Sequence, residues 1–179
     1  MNFIETDLKG AYVIQPVIHR DDRGFFVETF NQEMFGRNGI QAGFVQDNYS
    51  FSKQKGVLRG LHFQHAPHAQ TKLVAVMTGS VWDVIIDLRK DSPTFLKWTG
   101  VELSSDDMTM LYVPKGFAHG FCTLQENTRV LYKVDAHYAP QADAGIRWDD
   151  PDLAIPWPCS SPILSAKDST LPVLKDIAL

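Results

Sequence analysis

Short runs of β-type residues recur between turn signals along most of the chain, and this rhythm constrains the fold more than any other feature. Brief strands at such regular spacing are typical of an all-β sandwich or barrel. One short helix near Asn31–Arg37 is expected between them, with Asn31 as its N-cap and Gly39 near its end. The predicted strands are Tyr12–Ile18, Gly24–Phe30, Gly43–Ser52, Val57–Gln64, Thr71–Met77, Val81–Leu88, Lys97–Leu103, Met110–Val113, Ala118–Leu124 and Thr128–Ala136.

Alternation within two of these strands predicts which face points inward. In Thr128–Ala136, Tyr132 shares an apolar face with Val130 and Val134, so its hydroxyl needs a partner or a pocket. In Val81–Leu88 one face carries Val81, Asp83, Ile85 and Asp87. The other face is wholly apolar and is therefore expected to point to the core; it carries Trp82, Val84, Ile86 and Leu88.

Length and composition indicate one globular unit, a single domain over residues 1–179. The net charge of -4 argues against a nucleic-acid partner, and no apolar run approaches the roughly 20 residues that span a bilayer. Without an apolar signal segment, and with Cys122 and Cys159 outside any metal-type spacing, the protein is expected to be cytoplasmic with reduced thiols. After about residue 139 the chain is rich in Pro, Asp and Trp, which predicts an irregular C-terminal wrap, with a helical turn near Thr170–Lys175.

The segment Pro114–Phe121 places a histidine, His119, on a strand just after a proline–glycine turn. It resembles the second motif of the cupin superfamily, whose fold is a double-stranded β-helix or jelly roll. The metal-binding first motif of that superfamily has two histidines, a glutamate and a glycine. Counting back from Gly79 puts Lys72 at the glutamate position, and Ala66 and His68 at the histidine positions. An ammonium group cannot ligate a cation, so we expect a cupin-like barrel without a metal.

A buried lysine needs an anionic task, and stabilising an oxyanion is one. Removing a proton beside a ketone moves charge onto the carbonyl oxygen, where Lys72 can stabilise it. The base must titrate near neutrality, which favours His62 on the preceding strand. Gly60 is expected to mark a bulge that turns Arg59 and His62 toward one pocket. Asp168 is the candidate carboxylate to orient the histidine, and Tyr132 the acid that returns a proton.

Taken together, these segments resemble the dTDP-4-dehydrorhamnose 3,5-epimerase family almost from end to end. The resemblance implies an isomerase that inverts carbons beside the C4 ketone of a dTDP-sugar, in dTDP-L-rhamnose biosynthesis. It also implies a homodimer without cofactor or metal, the N-terminal segment lying at the dimer interface. The segments are Arg23–Phe30, Val45–Ser50, Gly56–His62, Gln70–Val74, Pro114–Phe121, Tyr132–Lys133, Gly145–Pro151 and Leu164–Asp168.

The same resemblance implies a role for each residue at a matching position. His62, held by Asp168, is the base, Tyr132 the acid, and Lys72 polarises the ketone. His119, Arg59 and Lys167 are expected to contact the sugar or diphosphate. The expected nucleotide contacts are Arg23, Glu28, Gln46 and Asn48. For Phe26 and Tyr138, the residue type alone leaves two interpretations open, stacking on the pyrimidine base or packing within the protein.

One position departs from the family, and three further interpretations of the function stay open. Asp143 stands where the family usually has a glutamate, one methylene longer, so its substrate contact is in question. An epimerase that inverts a single carbon needs the same base and acid. A metal-dependent cupin enzyme is the second interpretation, and a non-catalytic nucleotide-sugar binding module is the third. The downstream product, rhamnose for a cell-surface polysaccharide or another deoxysugar, is not fixed by the sequence.

Overall fold

The computed structural model describes residues 1–41 and 43–178, and they form the expected all-β, cupin-like jelly roll. Within the described residues, one helix, α1 (Gln32–Arg37), and three 3-10 turns, Pro140–Ala142, Asp168–Thr170 and Leu174–Asp176, accompany the strands. In the described residues no helix is long and apolar enough to cross a membrane. The strands are β1 (Asn2–Glu5), β2 (Tyr12–Gln15), β3 (Ile18–Asp21), β4 (Gly24–Val27), β5 (Gln46–Ser52), β6 (Leu58–Gln64), β7 (Lys72–Thr78), β8 (Ser80–Asp87), β9 (Trp98–Ser104), β10 (Met110–Val113), β11 (Phe117–Thr123), β12 (Thr128–Val134) and β13 (Asp143–Gly145).

Two facing sheets build the body of the fold. The larger sheet has the order β1-β2-β10-β7-β12-β5, and the smaller has the order β13-β6-β11-β8-β9. Neighbouring strands within each sheet are antiparallel. The hairpin β3–β4 forms a separate two-stranded sheet.

Apolar side chains are buried in three layers because both sheets are covered on both faces. The interior between the sheets holds Val74, Ile85, Phe121 and Val130 with their neighbours. Helix α1 covers the outer face of the larger sheet, where Phe35 packs on Ile14 and Met110. The outer face of the smaller sheet is covered by residues 146–178, which we call the C-terminal wrap. This wrap confirms the irregular C-terminal segment expected from composition.

The inward face of β8 is the opposite of the one predicted. Val81 and Ile85 point into the interior between the sheets, whereas Val84, Ile86 and Leu88 pack against Leu153, Ile155 and Leu174 of the wrap. The prediction was wrong because the wrap buries the outer face as well, so an apolar face no longer marks the core. Asp83 and Asp87 therefore point inward, and both are fully buried.

Most predicted elements are present with shifted ends. Tyr12–Ile18 divides into β2 and the start of β3 around Pro16, which has no backbone N–H for a strand ladder. The short strands β1 and β13 were missed, and the predicted Gly43–Ser52 begins only at Gln46. Asn31 caps α1 as predicted, accepting a hydrogen bond from the Met34 N–H at 3.0 Å.

Candidate active site

Strand alternation brings four polar side chains from four strands into the interior between the sheets. They share the inward rows of apolar residues such as Val74, Phe121 and Val130. The interior is therefore apolar toward one end and polar toward the other, where the four side chains meet. They are His62 of β6, Lys72 of β7, His119 of β11 and Tyr132 of β12.

Two adjoining cavities open at this polar end, with volumes of about 220 and 280 Å³. His62, Lys72, Tyr132 and Lys167 line both of them, so the two cavities share one wall. Gln46, Asn48, Tyr138 and Asp143 line the first cavity, as do Phe63, Gln64 and Gln70. The second cavity is completed by Ser50, Arg59, His119, Phe121, Ser165 and Asp168.

His62 faces the carboxylate predicted for it. Its Nε2 lies 2.7 Å from Oδ1 of Asp168, which arrives on the wrap. Burial would raise the pKa of Asp168, but hydrogen bonding from His62 and from Ser165 outweighs burial and holds that pKa below its ordinary value. An ionised Asp168 keeps a proton on Nε2. The lone pair then stays on Nδ1, a buried atom without a hydrogen-bond partner among the described residues.

A second histidine–aspartate pair, which the sequence reasoning missed, lies on the neighbouring strands. Nε2 of His119 is 2.9 and 3.0 Å from the two carboxylate oxygens of Asp83. The alternation argument had placed Asp83 on the outer face of β8. The sequence does carry a signal for this pair, because Asp83 alternates with Val81 and Ile85. An acid on a buried strand needs a partner.

Lys72 is almost fully buried, and its ammonium group lines both cavities. Burial lowers its pKa from 10.5 to about 8, although the negative charges of Asp83 and Asp143 oppose that shift. Its Nζ lies 3.5 Å from the carbonyl oxygen of His62. The interior thus holds a cation that is protonated at neutral pH and poorly solvated, so it can bind a developing negative charge strongly.

Tyr132 and Arg59 stand on opposite walls of the second cavity. Burial raises the pKa of Tyr132, and the charge of Arg59 only partly offsets this, so the phenol keeps its proton at neutral pH. Gly60 brings Arg59 and His62 to the same cavity, as predicted, because the pairing of β6 with β11 shifts register there. Only glycine fits, since φ is 120° and a Cβ would lie 2.6 Å from Cα of Gly120.

The spacing count that placed Ala66 and His68 at the metal-ligand positions was wrong. Both lie in the turn between β6 and β7, whereas His62 pairs directly with His119 across β6 and β11. Residues 65–71 separate β6 from β7, so a fixed count back from Lys72 ends inside this loop and does not reach His62. Within residues 1–41 and 43–178, no three His, Cys, Asp or Glu side chains cluster as a possible ligand set. His62 and His119 share their cavity with the cationic Lys72 instead of a metal-ligating carboxylate.

A family model described as dTDP-4-dehydrorhamnose 3,5-epimerase matches residues 5–176. The chain belongs to this epimerase family. The enzyme of that name from Methanothermobacter thermautotrophicus is 48 % identical over 97 % of this chain and 95 % of its own length. The crystal structure of the Bacillus anthracis enzyme, with TDP and PPi bound, is 54 % identical at a TM-score of 0.95, covering 97 % of this chain and 99 % of that one.

A third relative carries a sugar nucleotide. The RmlC epimerase of Legionella pneumophila was crystallised with dTDP-4-keto-L-rhamnose, and it is 44 % identical to this chain. Its TM-score is 0.94, and the match covers 99 % of this chain and 94 % of that one. The jelly roll of this chain is thus the fold of solved members of the epimerase family.

Asp143, the position expected to depart from the family pattern, lies on β13 at the rim of the first cavity. Its carboxylate accepts hydrogen bonds from the Tyr138 hydroxyl, at 2.9 Å, and from the Lys167 ammonium. These two contacts hold the pKa of Asp143 below its ordinary value although burial opposes them. Gln46 and Asn48 hydrogen-bond each other on the facing strand β5, at 2.8 Å.

Three predicted site residues of this epimerase-family chain do not reach the cavities of their own chain. Arg23 and Phe26 lie on the β3–β4 hairpin, and Glu28 follows it; all three line other surface grooves. Phe26 is 71 % exposed, which is unusual for a phenylalanine. The hairpin is a sheet of its own and belongs to neither wall of the cavities.

Proposed function

We propose that this chain is an isomerase that converts dTDP-4-dehydro-6-deoxy-D-glucose into dTDP-4-dehydro-L-rhamnose. Its product serves dTDP-L-rhamnose biosynthesis in the cytoplasm, for a cell-surface polysaccharide. The observation that carries the proposal is the grouping of a carboxylate-held imidazole, a buried ammonium and a protonated phenol around one cavity. These groups are a base, an oxyanion stabiliser and an acid.

The reaction needs only a proton taken from one face of a carbon and a proton returned to the other. His62 removes the proton from a carbon next to the ketone, and Asp168 stabilises the imidazolium that forms. Lys72 stabilises the negative charge that moves onto the C4 oxygen. Tyr132 then protonates the carbon from the opposite face, and solvent restores both residues. C3 and C5 both flank C4, so the same groups serve both inversions.

Binding of the nucleotide diphosphate is assigned to residues around the cavities. Arg59, His119 and Lys167 provide cationic or hydrogen-bonding contacts, and Gln46, Asn48, Asp143 and Tyr138 flank the entrance. The chain acts as a homodimer in which Arg23, Phe26 and Glu28 complete the nucleotide site of the partner subunit. Support comes from the exposed hairpin, whose arginine and phenylalanine have no function in their own chain's cavities.

The decisive experiment is incubation with dTDP-4-keto-6-deoxy-D-glucose in heavy water, followed by NMR. We expect deuterium at C3 and at C5, with the L-configured product. Deuterium at one carbon only would show a single-carbon epimerase, and dTDP binding without exchange would show a binding module. Activity that disappears with EDTA and returns with a metal would show a metal-dependent enzyme. We expect full activity in EDTA, because the cationic Lys72 lines the same cavity as His62 and His119 and would repel a metal ion there.

A further inference from the structure

The two cysteines, which the proposed chemistry does not use, lie against each other. Sγ of Cys122 and Sγ of Cys159 are 3.2 Å apart, although the residues are 37 positions apart in the chain. Cys122 is completely buried on β11, and its side chain points to the outer face of the smaller sheet, away from the cavities. Cys159 is partly exposed and belongs to the C-terminal wrap.

This thiol contact joins a rigid strand to an irregular segment. β11 is paired with β6 and with β8, so Cys122 cannot move far. Cys159 is flanked by Pro158 and lies outside regular secondary structure. No backbone hydrogen bond joins residues 158–162 to the rest of the described chain, and the backbone contact with β6 begins again at Ile163. A disulfide needs the sulfurs about 1 Å closer, a shift that this segment can make.

We propose that Cys122 and Cys159 form a reversible intramolecular disulfide that clamps the C-terminal wrap to β11. The wrap also carries Asp168, so the clamp holds the segment that delivers this carboxylate to His62. The inference does not depend on which sugar the enzyme converts. In a reducing compartment the pair is a dithiol, and a low-molecular-weight disulfide such as oxidised glutathione is the oxidant that closes it.

The order of the two steps follows from burial. Cys159 is the accessible thiol, so its thiolate attacks oxidised glutathione, forming a mixed disulfide and releasing one glutathione thiolate. Cys122 then attacks the Cys159 sulfur, loses its proton to solvent and expels the second glutathione. Two electrons pass from the protein to the glutathione disulfide. Burial raises the pKa of Cys122, so the second step is slow and accelerates as pH rises.

The test is oxidation of the whole protein by oxidised glutathione, followed by unfolding in acid denaturant, alkylation of the remaining thiols in denaturant and intact mass. We expect wild type to lose two hydrogens, to resist alkylation at both cysteines and to melt roughly 5–10 °C higher than its reduced form. Cys122→Ala removes the resolving thiol, so it should stop as a glutathione adduct on Cys159. Cys159→Ala should stay unmodified, and its Tm should not respond to the oxidant.

Three results would overturn the assignment: a stable glutathione adduct on wild type, two thiols that remain alkylatable, or a disulfide between chains. Cys122 is buried, so the result for Cys122→Ala counts only if the reduced variant unfolds cooperatively. Cys159→Ala replaces the partly exposed thiol, so its result does not depend on that condition.

Discussion

Two histidine–aspartate pairs face the same cavity, but the fold holds their carboxylates in different ways. Asp83 lies on β8 beside β11, so the pair with His119 is built into the sheet, and Asp83 is fully buried. Asp168 comes from the irregular wrap and is also buried, but its partner His62 is 28 % exposed, whereas the His119 side chain is 7 % exposed. We therefore expect the sheet-held pair, Asp83 and His119, to stabilise the folded core. Breaking the wrap-held pair, Asp168 and His62, should instead impair catalysis while the fold remains.

Replacing His62 is expected to have the largest effect on activity. His62→Ala should lower turnover toward the upper end of the about 10²–10⁴-fold that general acid–base catalysis contributes. The unfolding midpoint and dTDP affinity should change little, since the imidazole is partly exposed. Steady-state kinetics, thermal melting and calorimetric titration with dTDP measure the three quantities.

His68→Ala is the matched control for that variant. His68 occupies the position that the spacing count had favoured, yet it lies in the turn after β6 and outside both cavities. Its replacement should leave turnover within about twofold of wild type. Near wild-type turnover in His62→Ala, or a large loss in His68→Ala, would contradict the assigned base.

Lys72→Met is expected to rank second, with a loss of about 10²–10³-fold in turnover, the usual effect of removing one oxyanion donor. The wild-type pKa of about 8 adds a pH signature. The ammonium is present below that pH, so kcat/KM of wild type should fall as pH rises through about 8. The residual activity of Lys72→Met should lack this fall. A pH–rate profile of both proteins measures it, and identical profiles would exclude Lys72 as the titrating group.

Lys72 should also lower the free energy of unfolding of the enzyme without substrate. Its folded-state pKa is lowered, so the folded protein releases a proton between about pH 8 and 10.5 while the unfolded chain retains it. Stability attributable to this group therefore rises across that window, by roughly 3 kcal/mol in total. We expect Lys72→Met to be the more stable protein below pH 8, with an advantage that shrinks toward pH 10.5. Urea unfolding of both proteins at several pH values gives the difference directly.

Replacing each aspartate by asparagine tests the opening comparison itself. Asp168→Asn should lower turnover roughly 10–100-fold, because it disturbs the partner that orients His62. It should cost less stability than Asp83→Asn, because His62 is partly exposed and can be solvated. Asp83→Asn should instead destabilise the fold by about 1–3 kcal/mol, because it weakens a fully buried charged hydrogen bond. If Asp168→Asn proves the less stable of the two, the distinction between sheet-held and wrap-held carboxylates fails.

The sequence predicts the strand-borne half of the site well. His62, Lys72, His119 and Tyr132 lie on strands whose alternation and motifs are visible in the sequence, and the structure brings all four together. It also brings Asp168 to His62, a pairing that the sequence suggested but could not derive. Strand alternation is a local property, whereas contact between the wrap and a strand depends on how the whole chain folds.

The errors have the same physical origin. Asp83 was assigned outward because the wrap had not been counted as a cover for the outer face of β8. His68 was assigned to a metal-ligand position because the loop before β7 was assumed to have a fixed length. Arg23, Phe26 and Glu28 stay predictions, since the fold of one chain does not bring them to its own cavities. The Asp83 and His68 errors come from features that strand alternation and fixed spacing do not encode, and the proposed role of Arg23, Phe26 and Glu28 requires a second subunit.

The smallest expected effect concerns Asp143 at the rim, where the wrap meets β13. Asp143→Glu restores the residue usual in the family, and its longer side chain must displace the contacts with Tyr138 and Lys167. Those contacts are close to solvent, and such ion pairs contribute only about 0–1 kcal/mol. We therefore expect KM to change no more than about threefold, with kcat unchanged. Tyr138→Phe, which removes only the hydroxyl, is the matched control. A tenfold fall in kcat for Asp143→Glu would show instead that the shorter aspartate positions the reacting sugar, and that the rim belongs with His62 and Asp168 in the chemistry.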